Sequence, residues 1–105
     1  SIEQMKTGKR AQPNLLKSNE DIFSKNAWED YTSWLTEDKK ILKKINSLIK
    51  DIERTPYEGI GKPEPLKFDL AGFWSRRIDQ AHRLVYKIEG NDLLIFACKY
   101  HYDKK

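Results

Sequence analysis

The fold is decided by residues 73–99, FWSRRIDQAHRLVYKIEGNDLLIFACK, whose side chains follow the pattern of β-strands. In residues 73–78 and 82–88, successive side chains alternate between two faces, as the pleat of a strand requires. The connections at residues 79–81 and 89–92 are short, and the second has the turn sequence Glu-Gly-Asn-Asp. Both connections therefore predict antiparallel hairpins.

The alternation divides the charged residues of this stretch between the two faces of the predicted sheet. In the first strand Trp74 and Arg76 share one face, while Ser75 and Arg77 share the other. The last segment, LLIFACK at residues 93–99, is almost continuously apolar. We therefore expect it to be a central strand that is buried on both faces.

Upstream of the strands the apolar pattern becomes helical. Asn26 followed by Glu29 fits a capping pair, which predicts a helix that begins directly after Asn26. Trp28, Tyr31 and Leu35 recur at helical spacing, so we expect them to form the stripe that faces the core.

A second helix is predicted after Thr36, a candidate N-cap that is followed by two acidic residues. Pro56 should end this helix near Arg54, because the residue before a proline avoids the α region. Its lysines lie mostly off the apolar stripe and are read as a solvated face, with contact to a nucleic acid or an acidic partner as the alternative. The stripe consists of Ile41, Ile45, Leu48, Ile49 and Ile52.

Helices followed by strands indicate an α+β domain in which an N-terminal helical hairpin packs on an antiparallel sheet. The 105 residues suffice for one domain, which we assign to residues 21–105, with a short first strand at residues 21–24. Residues 1–20 are polar and are expected to be an arm or linker. The net charge of +4 is concentrated at the two ends of the chain and favours a polyanionic partner only weakly.

Several functional classes are not indicated by the sequence. No apolar run is long enough for a membrane span or a signal peptide, so we expect a cytoplasmic protein without membrane contact. Cys98 is the one cysteine, has apolar neighbours and is expected to be a buried structural thiol. Two widely separated histidines do not suggest a zinc site, residues 59–62 form a turn without phosphate-loop spacing, and no serine elbow is present. We expect no cofactor.

The loop before the strands contains a candidate catalytic carboxylate. Glu64 lies between Pro63 and Pro65, which fix their own φ and favour extended backbone at the preceding residues. His101, near the C-terminus, supplies an imidazole. A carboxylate and an imidazole are the base and the acid that metal-free cleavage of an RNA strand by its own 2′-OH needs.

Cations accompany Glu64 in residues 61–83. In the cleavage reaction, Arg83 would stabilise the negative charge of the transition state, and Tyr102 would orient the phosphate or stack on a base. The remaining candidates are expected to contact RNA, and they are Lys62, Lys67, Arg76 and Arg77.

Four motifs carry a resemblance to a known family. They are PEPLK at residues 63–67, GFWSRRI at residues 72–78, HRLVY at residues 82–86 and YHY at residues 100–102. Together they resemble the YoeB-type toxins of bacterial toxin–antitoxin modules, which belong to the RelE-like superfamily. The resemblance extends over residues 21–102.

The resemblance implies a ribosome-dependent endoribonuclease that cuts mRNA in the ribosomal A site and stops translation. It implies Glu64 as general base, His101 as general acid and Arg83 as the transition-state cation. Tyr102 would position the substrate, and the implied RNA contacts are Lys67 and Arg77. The resemblance also implies a YefM-type antitoxin that covers the active site, a homodimer, and binding of operon DNA only through the toxin–antitoxin complex.

Alternatives to a nuclease stay open at this stage. A ParE-like toxin could inhibit a topoisomerase without catalysis, and a basic domain could bind RNA without turnover. Glu64 could simply pair with Lys62 or Lys67 on a surface loop, and His101 could be an idle terminal side chain. His82 is expected to be a core or hairpin histidine without a catalytic role.

Overall fold

The computed structural model describes residues 20–100 of the chain. The predictions for residues 1–19 and for His101 and Tyr102 lie outside this range. Within it, no helix is long and apolar enough to cross a membrane. The elements in chain order are β1 (Asp21–Phe23), α1 (Lys25–Glu37), α2 (Lys39–Arg54), β2 (Glu64–Pro65), a 3₁₀ turn (Phe68–Leu70), β3 (Trp74–Arg77), β4 (Arg83–Glu89) and β5 (Asp92–Ala97).

Two helices pack on one face of a five-stranded sheet with the strand order β1-β5-β4-β3-β2, which confirms the α+β prediction. The sheet is mixed rather than antiparallel throughout, because β1 runs parallel to β5 while the other pairs are antiparallel. A parallel neighbour needs a long crossover connection, and the helical hairpin between β1 and the later strands supplies it.

β5 lies inside the sheet between β1 and β4, as expected of a central strand, but the middle strand is β4, and β5 is not buried on both faces as expected. Leu84, Val85 and Tyr86 of β4 are fully buried on both faces. In β5 buried side chains such as Ile95 alternate with half-buried ones, because the outer neighbour of β5 is the three-residue β1. Hydrophobicity alone did not distinguish the middle strand from the strand beside it.

The predicted hairpins and the short first strand are confirmed. Glu89 pairs with Asp92 across the turn between β4 and β5, and Gly90 in that turn has a φ of +61°, which suits glycine. β3 and β4 pair in antiparallel register with Arg77 opposite Arg83. This register places the two arginines on one face of the sheet.

The helices begin at different caps from those expected. Ser24 caps α1, since its hydroxyl oxygen accepts a hydrogen bond from the Ala27 N–H at 3.0 Å, and Asn26 lies inside the helix. Asp38 caps α2 by accepting from the Lys40 N–H at 3.0 Å, while Thr36 is still in α1. Each observed cap lies two positions from the expected one. Ser, Thr, Asn and Asp are all favourable N-caps, so residue type alone did not distinguish the two candidates at either helix.

The expected core stripe of α1 is wrong at two of its three positions, since only Tyr31 packs, partly buried, against the core. Trp28 and Leu35 are 53% and 47% exposed, and the buried residues of the helix are Ala27 and Trp34. The Trp34 indole N–H donates to the Cys98 carbonyl oxygen at 3.1 Å, so this ring is held inside by a polar contact. The buried face of α1 consists of Ala27 and Trp34, and the small Ala27 gave no hydrophobic signal strong enough to distinguish this face from that of Trp28 and Leu35.

The apolar stripe of α2 is confirmed. Ile45, Leu48 and Ile52 are fully buried and pack in one core with the inner face of β4 and β5. The helix ends at Arg54, as Pro56 predicted. Cys98 lies in the same core, and burial raises the pKa of its thiol to about 12, so the structural role expected for it is confirmed.

Candidate functional site

The face of the sheet opposite the helices carries the candidate site. Leu84 and Tyr86 of β4 belong to the core beneath the helices, so the alternate residues of β4, including Arg83, point to the opposite, open face. Arg77 lies opposite Arg83, and Glu64 lies opposite Ser75 on the neighbouring strand. Paired residues share a face, so Glu64, Arg77 and Arg83 lie on the open face within roughly 12 Å of one another, given strand spacings of about 5 Å.

Glu64 stands on β2, a two-residue strand at the edge of the sheet. An edge strand tolerates Pro65, because the missing N–H faces away from the ladder. Within residues 20–100 the Glu64 carboxylate has no ion pair, so neither Lys62 nor Lys67 neutralises it. The side chain is therefore an exposed carboxylate that is available to a ligand.

Arg83 is held in place by its own hairpin. Its Nη1 donates to the carbonyl oxygens of Asp79 at 2.7 Å and His82 at 3.1 Å, and the residue is only 9% exposed. Among the described residues its Nε and Nη2 have no hydrogen-bond partner. The guanidinium is thus a fixed cation with donors left for a phosphate.

The C-terminal segment begins beside this arginine. The Arg83 N–H donates to the Tyr100 carbonyl oxygen at 3.0 Å, and the Tyr100 N–H donates to His82 Nδ1 at 2.8 Å. His82 also packs edge-on against Trp34 at 4.8 Å between ring centroids, as a hairpin histidine was expected to do. Tyr100, the last described residue, therefore lies next to Arg83.

Arg76 does not belong to the open face, and the prediction that it contacts RNA is wrong. Its side chain has no exposed surface, and its Nη1 donates to Asp51 Oδ2 at 2.6 Å. Its Nε donates to the Tyr86 hydroxyl at 3.2 Å. The remaining hydrogen bonds go to the carbonyl oxygens of Thr55, Glu58 and Ile60. Strand alternation had already placed the side chains of Arg76 and Arg77 on different faces of the sheet, but the charge of Arg76 suggested that this side chain was exposed.

This buried arginine and its partners, which we call the Arg76 clamp (Arg76, Asp51 and Tyr86), hold the loop that leads to Glu64. The Arg76 guanidinium lowers the pKa of the Asp51 carboxyl, which also accepts from the Ile60 N–H at 3.0 Å. A Cβ at Gly59 would collide with Asp51 Oδ2, and the φ of +124° there also favours glycine, so only glycine fits. Sequence reasoning missed the clamp because its members are distant in the chain.

Backbone strain is concentrated around the open face. Three described residues other than glycine have positive φ, and they are Lys62 at 50°, Phe68 at 56° and Tyr100 at 67°. Lys62 precedes the Glu64 strand, Phe68 follows Lys67, and Tyr100 contacts Arg83. Such conformations cost roughly 1–3 kcal/mol each and are typical of functional sites.

Comparison with known proteins decides the family. A family model described as "YoeB-like toxin of bacterial type II toxin-antitoxin system" matches residues 23–102. The chain belongs to the YoeB toxin family. Toxin YoeB of Escherichia coli strain K12 is 62% identical over 81 residues, which cover 77% of this chain and 96% of that protein. Toxin YoeB of Streptomyces coelicolor is 56% identical over 80 residues, covering 76% and 95%.

Solved YoeB structures share the fold. A YoeB dimer from Staphylococcus aureus superposes with a TM-score of 0.75 at 52% identity and covers 79% of this chain and 97% of its own. A heterotetrameric YoeB-YefM toxin–antitoxin complex from the same organism gives a TM-score of 0.74 at 53% identity, covering 78% and 95%. The chain is therefore a toxin of a type II toxin–antitoxin system.

The structure brings together part of the site that the YoeB resemblance implied. Glu64, Arg77 and Arg83 lie on one face, and Lys67 follows the Glu64 strand in an exposed position. Lys62 also lies at this edge, since the carbonyl oxygen before it accepts from the Arg77 N–H. Among residues 20–100 no group of three or more His, Cys, Asp or Glu side chains is arranged to hold a metal.

Proposed function

We propose that this YoeB-family toxin is a metal-independent endoribonuclease that cleaves mRNA in the A site of the bacterial ribosome and so inhibits translation. The observation that supports it most is the open face of the sheet, where the exposed carboxylate of Glu64 lies near Arg77 and Arg83. A carboxylate beside cations suits a substrate that carries both a hydroxyl to deprotonate and a phosphate to bind. A pure binding module has no need of Glu64.

In the proposed reaction Glu64 takes the proton of a ribose 2′-OH, and the 2′-oxygen attacks the adjacent phosphorus. The bond from phosphorus to the 5′-oxygen breaks, and that oxygen takes a proton from His101. The products are a 2′,3′-cyclic phosphate and a 5′-OH end. Each proton transfer contributes typically about 10² to 10⁴ in rate. Tyr102 would position the phosphate.

Arg83 would stabilise the charge that develops on the phosphoryl oxygens. Its guanidinium is already oriented by Asp79 and His82, so little reorganisation is needed during the reaction. Loss of such an oriented donor costs roughly 3–4 kcal/mol of transition-state stabilisation. Lys62, Lys67 and Arg77 would bind the RNA backbone.

We include the ribosome in the proposal because the open face of the sheet does not enclose a substrate. The site lies on an exposed sheet face, so alignment of the 2′-OH for in-line attack would come from the A site. We therefore expect free RNA to be a poor substrate and the protein to act in the cytoplasm, where ribosomes are.

We further propose a YefM-type antitoxin and a homodimer as partners. The supporting observations are the S. aureus YoeB-YefM complex and YoeB dimer, at 53% and 52% identity. An antitoxin that covers the open face would block RNA, and operon DNA would be bound only through the toxin–antitoxin complex.

The test is a reconstituted translation reaction in which the ends of the mRNA are sequenced. The wild-type chain should yield 5′-OH ends within A-site codons. Glu64→Gln and His101→Gln should still bind programmed ribosomes but lose cleavage by about 10²-fold or more. Glu29→Gln, an exposed glutamate on α1, is the matched control and should cleave normally.

Intact messages with wild-type protein would overturn the proposal, whether or not RNA is bound. Cleavage of naked RNA as fast as that of ribosome-bound mRNA would overturn the ribosomal part alone.

A further inference from the structure

Phe68 is the most exposed of the large apolar side chains in the part of the chain that the structure describes. It is 90% exposed, whereas the next, Tyr100, is 63% exposed. It directly follows Lys67 and begins the 3₁₀ turn that leads from the Glu64 strand into β3. The ring therefore projects into solvent at the margin of the candidate site.

The backbone that carries this ring is firmly held. Leu66 is buried, and its N–H donates to the Phe73 carbonyl oxygen at 2.9 Å. The Leu70 N–H donates to the Lys67 carbonyl oxygen at 3.0 Å, and the Ala71 N–H donates to the Phe68 carbonyl oxygen at 3.0 Å. Leu66 and Leu70 also pack into one apolar cluster on the open face. The loop is anchored on both sides of Phe68, so the ring is displayed by a rigid support.

Neither the backbone conformation of Phe68 nor the exposed position of its ring stabilises the fold. Its φ of +56° is a conformation that glycine or asparagine adopts at lower cost, and a bulky side chain in it is an outlier. The exposed ring makes no aromatic pair among the described residues. A strained, rigid and solvent-facing aromatic next to a reactive face points to a ligand rather than to stability.

We infer that Phe68 is a stacking platform for a base of the bound RNA and thereby positions the strand over Glu64. This inference rests on the proposed nuclease function. Stacking on an aromatic ring suits any nucleobase, and the neighbouring cations at Lys62, Lys67 and Arg77 bind the phosphates between bases. The same ring could meet an antitoxin peptide instead. Exposed Lys67 precedes it and exposed Asp69 follows it, and the further cations Lys62 and Arg77 favour RNA.

The test uses 70S ribosomes programmed with mRNAs that carry 2-aminopurine at single positions in and next to the A-site codon. A 2′-deoxy substitution at the scissile nucleotide prevents cleavage. Wild-type protein should quench the fluorescence at one position, and Phe68→Leu should abolish that quenching although it keeps apolar bulk. Phe68→Tyr and Phe68→Trp should retain it, because they keep the ring.

In cleavage of unmodified mRNA, Phe68→Leu should raise KM by roughly 5- to 150-fold, the range for loss of one stacked base, with a smaller effect on kcat. Trp28→Ala removes a half-exposed aromatic ring from α1, on the other side of the sheet from the open face, and should leave KM unchanged. Phe68→Gly should also raise KM, yet it should unfold at a higher temperature than wild type, because it relieves the positive φ.

The two proposals fail in different ways. If wild type does not cleave ribosome-bound mRNA, the proposed function is wrong regardless of Phe68. If wild type cleaves while Phe68→Leu keeps the wild-type KM and quenching, the stacking role is wrong and the nuclease stands. The same conclusion follows if Phe68→Leu weakens binding of the purified antitoxin but not of programmed ribosomes.

Discussion

Arg76 and Arg77 are neighbours in the chain, yet their side chains leave β3 on opposite faces. Arg76 lies fully buried with donors committed to Asp51, Tyr86 and loop carbonyls. Arg77 is exposed on the open face and has no ion pair among the described residues. The period of two in a strand therefore buries one arginine and leaves the other exposed for the RNA contact that we propose.

Alanine at each position should separate these roles. Arg76→Ala leaves Asp51 and several carbonyl oxygens without their partner, so we expect a loss of about 3–5 kcal/mol in the free energy of unfolding, measured by urea denaturation. Arg77→Ala should change that free energy by less than about 0.5 kcal/mol but weaken binding to programmed ribosomes. Tyr86→Phe, which removes one hydroxyl from the Arg76 clamp, should cost about 1 kcal/mol. A large loss of stability from Arg77→Ala would contradict this assignment.

His82 holds Tyr100 through one acceptor atom, Nδ1. In His82→Phe the ring can still pack on Trp34, but the Tyr100 N–H loses its partner Nδ1. If this hydrogen bond positions the chain that carries His101, kcat for mRNA cleavage should fall about fivefold, equivalent to roughly 1 kcal/mol. An unchanged kcat with a lower melting temperature would show that His82 serves packing alone.

At the scale of elements, β1 meets the end of α2 across a cavity of about 250 Å³ that Glu20, Asp21 and Glu53 help to line. Partial burial and the carboxyl of Glu53 raise the pKa of Asp21 to about 7. The ordinary value for an unfolded aspartate is about 3.9, so the folded state binds this proton more tightly. Stability from this group is therefore lost as the pH rises from about 4 to about 7.

Asp21→Asn removes the titrating group while keeping the shape of the side chain. The variant should unfold at a higher temperature than wild type at pH 8, and the difference should disappear near pH 4, where both proteins are uncharged at this position. Glu20→Gln, on the same cavity, is the control. An equal difference at both pH values would mean that the substitution acts through packing rather than through the proton.

Across the whole molecule, the helices cover one face of the sheet and leave the other face to the candidate site. The lysines of α2, such as Lys43 and Lys44, are exposed on the helix away from its buried stripe, while exposed Lys62 and Lys67 flank the Glu64 strand in the sequence. This arrangement favours the solvated-face interpretation of the α2 lysines. Binding of a polyanion should therefore depend on Lys62 and Lys67 and not on the lysines of α2.

We expect Lys62→Gln combined with Lys67→Gln to weaken binding to programmed ribosomes. The slope of log affinity against log salt should also fall by about 1 to 2, because up to two phosphate contacts are lost. Lys43→Gln combined with Lys44→Gln has the same charge change and should leave affinity and slope near wild type. An equal loss from the α2 pair would place an RNA contact on the helices.

Much of this protein followed from local patterns. The period of α2, the alternation of residues 73–78 and the glycine turn after β4 are read from neighbours in the chain, and each was confirmed. Glu64 as a candidate site residue also followed from local sequence, because its flanking prolines and cations are adjacent to it. Its role stays a prediction.

Only the tertiary structure decided which residues meet across the chain. It made Arg76 a buried clamp, placed β1 parallel to β5, exposed Trp28, and displayed Phe68 beside the open face. These outcomes depend on contacts between elements far apart in sequence, where burial and pairing outweigh the local preference of a residue. Sequence fixes which side chains a strand or helix presents together, whereas packing fixes which of those faces is buried and which is left for a ligand.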